Sequence, residues 1–255
     1  MNEAIFSAQH LNLSFGGVHA VRDVSFEVER GEVFSIIGPN GAGKTTVLNL
    51  ISRLYDVEGH GRMRFDGSDI TEISISEVAR RRIARTFQNT ELFEHETVLK
   101  NLLIGRHVHR RTGLLSELFF TRSVARQELA FRRAAEDVID LLDLQSYRDQ
   151  VIANLPYGVR KMVEVARALC IEPKLLLLDE PSSGLNPEET EDVEFWIEDI
   201  NEQFGATIIM VEHDMNLVSR TSSRVMAMAD GAVIAIGESA DIQNHPDVQR
   251  AYLGD

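Results

Sequence analysis

Three observations predict an α/β fold with an inserted helical subdomain in these 255 residues. A phosphate-loop pattern, G-x-x-x-x-G-K-[ST], runs from Gly38 to Thr45 between a strand-like and a helix-like segment. Four leucines, Leu175 to Leu178, lead directly into the acidic pair Asp179-Glu180, as a strand buried on both faces would. Between these landmarks, over residues 90–160, strand signals give way to helical periodicity. Alternation of strand and helix, broken by a helical stretch, implies α/β layers carrying an insert.

Taken in order, residues 4–37 read as short strands with turns. Ile5, Leu11, Leu13 and Phe15 come near alternation, and Gly16-Gly17 turns the chain. Two readings fit Phe15: ordinary core, or an exposed aromatic stacking on a base. Val33 to Ile37 is a buried strand feeding the loop, and Val47, Leu48, Leu50 and Ile51 give the following helix its apolar face. Arg62 to Phe65 and Ile83 to Phe87 are further short strands, the second ending at Gln88. A helix over Ser123–Leu144 follows from Val124, Phe131, Ala135, Val138 and Leu142 at helical spacing. Before it, residues 113–120 form either a tucked helix or a contact surface.

Strand signals return at Lys174–Asp179. Asn186 caps the next helix, Pro187 suits its first position, Glu189 completes a capping box and Gly205 ends it. Ala206 to Val211 is a strand ending in Glu212-His213-Asp214. Two strands flank Asp230-Gly231, and a short helix occupies residues 246–255.

The composition is 44% hydrophobic, enough for a substantial core. A net charge of −14 argues against nucleic acid as a general partner, because phosphate backbones need basic surfaces. Local basic clusters at Arg80, Arg81, Arg82 and Arg85, and at Arg106, Arg110 and Arg111, read as solvated helix faces or as a protein-docking surface. Cys170 is the only cysteine, which excludes an intrachain disulfide and leaves it as a small core residue. No signal-peptide pattern opens the chain, and its apolar runs are too short to cross a bilayer. The expectation is a soluble chain held at any membrane only through another protein.

The loop chemistry requires its residue types. Backbone N–H groups of Gly38, Pro39, Asn40, Gly41, Ala42, Gly43, Lys44, Thr45 and Thr46, proline excepted, can turn around a phosphate, with the glycines tolerating the dihedrals. Lys44 suits the β- and γ-phosphates, and the Thr45 hydroxyl suits Mg²⁺. Asp179 can hold Mg²⁺ directly or through water, and Glu180 can polarise an attacking water. The alternative for this pair is a strand end with solvated acids. His213 likewise ends a strand, where a histidine is structural or functional.

In their order along the whole chain, the loop at 38–46, Gln88, Leu155-Pro156-Tyr157-Gly158-Val159, Asp179-Glu180, Ser183-Gly184-Leu185-Asn186 and His213 resemble the ATPase subunits of ABC transporters. Arg85-Thr86-Phe87-Gln88, Tyr157-Gly158, Glu212-His213-Asp214-Met215 and Ala251-Tyr252-Leu253-Gly254 are most like the branched-chain amino-acid uptake ATPases. The resemblance implies a P-loop NTPase core (1–89 and 161–255) with an N-terminal antiparallel β-subdomain, and a helical subdomain over 90–160 bearing the signature.

It also implies roles: Phe15 on adenine, Gln88 on Mg²⁺ and the attacking water, Glu180 as general base and His213 on the γ-phosphate. Ser183 would cross to a second ATPase subunit, identical or homologous, and Leu155, Pro156, Tyr157 and Gly158 would close over that subunit's ATP. Transmembrane permease subunits would dock at Gln88 and the insert, placing the chain on the cytoplasmic face of the membrane. The signature departs from the family's L-S-G-G-Q: Pro156 replaces serine, Tyr157 the first glycine and Val159 the glutamine. The function implied is ATP-driven uptake of branched-chain amino acids or similar small polar solutes. The alternatives are another ABC system such as lipid export, or an ABC ATPase acting on nucleic acid or ribosomes.

Overall fold

The structure, a computed structural model, describes residues 4–86, 92–110 and 122–253. Gln88, the end of the strand expected to reach it, the segment 113–120, Arg111 and the last two residues lie outside the described residues. The chain divides into two compact units, 1–88 with 174–255 and 89–173.

The first unit begins with β1 (Ala4–Phe15) and β2 (Val18–Glu29), an antiparallel pair of 12 residues each. These are longer than the short strands that the broken alternation suggests. The ladder passes through register shifts instead of ending, one of them between Ala8 and Leu11. His10 lies in that stretch and Asp23 in the next shift, between Leu11 and Leu13, both at φ 51, and the His10 N–H donates to Ser25 Oγ at 2.8 Å. Such bulges keep the strand paired while shifting which residues face the core.

The chain then crosses to β3 (Val33–Ile37), buried at every residue, and to α1 (Lys44–Ile51). It next forms β4 (Arg62–Phe65), β5 (Ser68–Asp69), α2 (Ile75–Arg80) and β6 (Ile83–Arg85). One antiparallel sheet has the order β2-β1-β4-β5. The remaining strands are β7 (Leu175–Asp179), β8 (Thr207–Val211), β9 (Arg224–Ala229) and β10 (Ala232–Gly237). They join β3 and β6 in the order β10-β9-β3-β8-β7-β6, parallel except for β9 with β10.

A continuous core packs both sheets against α1, with Phe6, Phe34, Phe65, Leu48 and Ile51 all at 2% exposure or less. Burying each such side chain contributes about 1.5–3 kcal/mol. The aromatic rings of Phe26 and Phe34 stack across it, centroids 5.5 Å apart. The unit closes with α6 (Pro187–Glu202), α7 (Met215–Thr221), α8 (Ser239–Gln243) and α9 (Pro246–Leu253), numbered after the helices of the second unit.

That second unit holds α3 (Val98–Gly105), α4 (Arg122–Leu141) and α5 (Tyr157–Leu169). Thr97 caps α3 by accepting from the Lys100 N–H. Arg148 grips Glu136 of α4 with the Nε and Nη2 edge of its guanidinium, and Arg106 reaches Glu172 at 2.6 Å and the Cys170 carbonyl at 2.9 Å. The unit runs to residue 173, past the residue-160 boundary read from the sequence, because α5 packs on α3 and α4. Arg106 is also a correction: it is buried in an ion pair and is not part of a solvated face.

Candidate nucleotide site

β3, β7 and β8 are parallel neighbours, so Ile36, Val211 and Asp179 stand side by side. The loop after β3, the acids ending β7 and the residues after β8 therefore emerge at one edge of the sheet, where open α/β sheets bind ligands.

The loop makes two close approaches that require glycine. Gly38 has φ +151, and a Cβ there would lie 2.2 Å from the Met228 carbonyl oxygen. Gly43 has φ +94, and a Cβ would lie 2.3 Å from the Ala20 carbonyl oxygen. A side chain at either position would push the loop off its neighbours. Lys44 is only 6% exposed and turns its ammonium inward, donating to the carbonyls of Gly38 at 2.8 Å and Pro39 at 2.9 Å. Burial pulls its pKa down, while the carboxylates of Glu180 and Asp179 pull it back up. Thr45 follows at the start of α1, and its hydroxyl donates to Asp179 Oδ1 at 3.2 Å.

Asp179 is 3% exposed and its second oxygen accepts from Arg85 Nη2 at 2.9 Å. Arg85 also donates to Asn49 Oδ1 and Ser52 Oγ of α1 and its end, at 2.7 and 2.8 Å. Burial lowers the guanidinium's pKa and Asp179 raises it. Arg85 thus leaves the expected basic surface cluster and becomes the internal counter-charge of Asp179, a role the sequence reading missed.

Glu180 is held at φ 53, a left-handed conformation uncommon for a residue with a Cβ. Its carboxylate lies 2.9 Å from His213 Nε2. Sequence-distant groups at positions 180 and 213 are therefore brought together, facing the loop that holds Lys44. Glu212, unnoticed in the sequence except as a neighbour of His213, is 2% exposed and accepts backbone N–H groups from both sides of this pair. Ser183 stands exposed in the turn after Glu180, its N–H donating to the Glu180 carbonyl at 3.1 Å. Asn186 and Glu189 form the expected capping box of α6.

Phe15 is 45% exposed, which removes it from the core, and Tyr55 packs edge-on against it at 5.1 Å. Thr45 and Asp179 supply hard oxygen donors at the loop, a set that suits Mg²⁺. No three histidine, cysteine or carboxylate residues converge among the described residues. An ion shared with substrate phosphates and water needs no such cluster.

The signature lies in the second unit. Leu155 and Gly158 are buried, whereas Pro156 and Tyr157 are exposed at the start of α5. Pro156 occupies the N-cap position with no side-chain cap. Arg160 and Lys161 lie within 6 Å of the Tyr157 ring centre, at 5.9 and 5.8 Å.

A family model described as ABC transporter matches residues 21–183, and one described as Branched-chain amino acid ATP-binding cassette transporter matches 232–255. The chain is 38% identical over 255 residues to the high-affinity branched-chain amino acid transport ATP-binding protein BraF of Pseudomonas aeruginosa, the match covering 100% of both. It is 37% identical over 255 residues to LivG of Escherichia coli, described in the same words, again covering 100% of both. A solved ADP conformation of an ATP-binding cassette of an ABC transporter superposes with a TM-score of 0.86 at 31% identity, covering 100% of both chains.

Proposed function

The chain belongs to the ABC transporter family, and from that premise we propose that it hydrolyses ATP to drive uptake of branched-chain amino acids or similar small polar solutes. The observation that carries the reading is the meeting of Glu180 and His213 at 2.9 Å beside a phosphate loop whose lysine is buried. The names of the relatives support the choice of solute.

In this reading Lys44 exchanges the Gly38 and Pro39 carbonyls for the β- and γ-phosphates, and Phe15 stacks on adenine. Glu180 takes a proton from the attacking water, while His213 holds the water and the γ-phosphate in place. Thr45 and Asp179, with Gln88 outside the described residues, would hold Mg²⁺. When bound, Mg²⁺ would neutralise charge developing on the phosphates. Ser183 and the signature residues Leu155, Pro156, Tyr157 and Gly158 would serve the ATP of a second ATPase subunit, identical or homologous. Permease subunits would dock on the helical unit and near Gln88. No described helix is long and apolar enough to cross a membrane, so attachment to the cytoplasmic face would run through those partners.

Two linked measurements test this. Glu180→Gln is expected to slow ATP turnover by roughly 10²–10⁴-fold while nucleotide still binds. In cells lacking the gene, leucine uptake should return with the wild-type chain and not with the variant. A variant retaining more than about half of wild-type turnover shows that Glu180 is not the base. Leucine uptake indifferent to the gene removes the assigned solute.

A further inference from the structure

Glu212 is a buried carboxylate with no part in the chemistry described above. Its Oε1 accepts the Ser182 N–H at 2.8 Å. Its Oε2 accepts the His213 N–H at 2.6 Å and the Asp214 N–H at 3.1 Å. One side chain thereby ties the turn that follows Glu180 to the turn that begins with His213. Both turns need a tie. Glu180 sits at φ 53 between strand and turn, and His213 is an exposed side chain beyond the end of β8. The backbone bond from the Glu180 N–H to the Val211 carbonyl at 2.9 Å fixes only the first of these residues.

We propose that Glu212 is the positioning residue that holds Glu180 and His213 in register. The inference rests on Glu180 being the base, and extends that reading to the group that sets its geometry. The chemistry makes glutamate specific here. Both oxygens of a carboxylate accept, and every group named above donates. Glutamine keeps the shape but replaces one oxygen by an NH₂ donor, so one of the two turns loses its acceptor. Aspartate keeps the charge but falls one methylene short of spanning both turns.

The test compares the full-length wild type with Glu212→Gln, Glu180→Gln and the double variant, turnover being expressed per competent site from the stoichiometry of ADP binding. Glu212→Gln is expected to lower kcat by about ten- to a hundredfold, the scale of an ångström-sized misplacement, with KM for ATP within about threefold of wild type. Adding Glu212→Gln to Glu180→Gln should lower turnover by less than about threefold, because the register of His213 against the base no longer matters once the base is gone. A merely structural glutamate would show equal losses in both backgrounds, and that result overturns the proposal, as does an unchanged kcat. If Glu212→Gln does not fold, Glu212→Asp decides by the same criteria. If Glu180→Gln alone retains turnover, the base assignment has failed and the inference falls with it. If Glu180→Gln is slow while Glu212→Gln equals wild type, only the inference has failed.

Discussion

Arg85 and Asp179 show what a single residue contributes at this site. Their side chains are 5% and 2% exposed, and the pair at 2.9 Å is surrounded by Asn49, Ser52 and Thr45. Removing one member of such a pair leaves a buried charge without its partner, which costs about 3–5 kcal/mol. The exposed pair Arg30–Asp66 offers a comparison, with side chains 47% and 33% exposed and Lys174 also bound to Asp66. A pair in that setting contributes about 0–1 kcal/mol. Arg85→Ala should therefore lower unfolding free energy in denaturant titrations by several times the loss for Arg30→Ala, and equal losses would refute the buried-pair account. Position 85 conceals this role in the sequence. It stands near Arg80, Arg81 and Arg82, and its partner lies 94 residues away. Glu212 is hidden for another reason: its partners are backbone N–H groups, which leave no mark on residue type. Lys44 and Thr45 are legible as candidates because the loop's spacing marks them, whereas the Asp179-Glu180 pair becomes a candidate only because that loop is present.

Among the elements, α9 gives the clearest link between packing and site. Val248, 3% exposed, packs with Ile37, Val218 and Val225, and so docks the helix against the residue that precedes Gly38. Four residues on, Tyr252 lies on the same helical face, its phenol close enough to the Gly38 backbone to be influenced by it. Burial raises the phenol's pKa, and the Gly38 backbone beside it offsets part of that rise. Gly38 is thus held through its carbonyl by Lys44, with the Tyr252 phenol beside its backbone. Tyr252→Phe keeps the ring and removes the hydroxyl beside the loop. If that hydroxyl steadies the loop as one hydrogen bond would, its loss should weaken ADP binding by about two- to tenfold in a fluorescent-nucleotide titration. Unchanged affinity would reduce α9 to a packing element. The sequence announces α6 by its cap, proline and terminal glycine, and the structure agrees within two residues at each end. It announces α2 by the same device, the Ser74–Glu77 capping box, a signal present in the sequence and passed over. The register shifts of β1 and β2 carried no such signal, since a bulge looks like a broken alternation until its partner strand is seen.

At the scale of the whole molecule the question is how strongly one copy closes on another in the proposed assembly. A serine at position 156 would offer its hydroxyl to the γ-phosphate held by the opposing subunit. Pro156 has neither a hydroxyl nor a backbone N–H, and it caps α5 without any side-chain bond. The loss of a hydrogen bond to a charged group corresponds to roughly 1.5–3 kcal/mol, about ten- to a hundredfold in closure for each site. Charge adds to the deficit, because each chain carries a net −14 and two copies repel more strongly at low salt. The Glu180→Gln protein with ATP and Mg²⁺ should therefore elute as a monomer from a sizing column at low micromolar concentration. Pro156→Ser in the same background should shift it toward a dimer, more so at higher ionic strength. It should also gain about 0.5–2 kcal/mol of stability from an N-cap that proline cannot supply. A Glu180→Gln homodimer that forms without the serine would show that other residues grip the opposing nucleotide. A monomer in both backgrounds would shift the requirement to permease subunits or to a second, non-identical ATPase bearing a fuller signature.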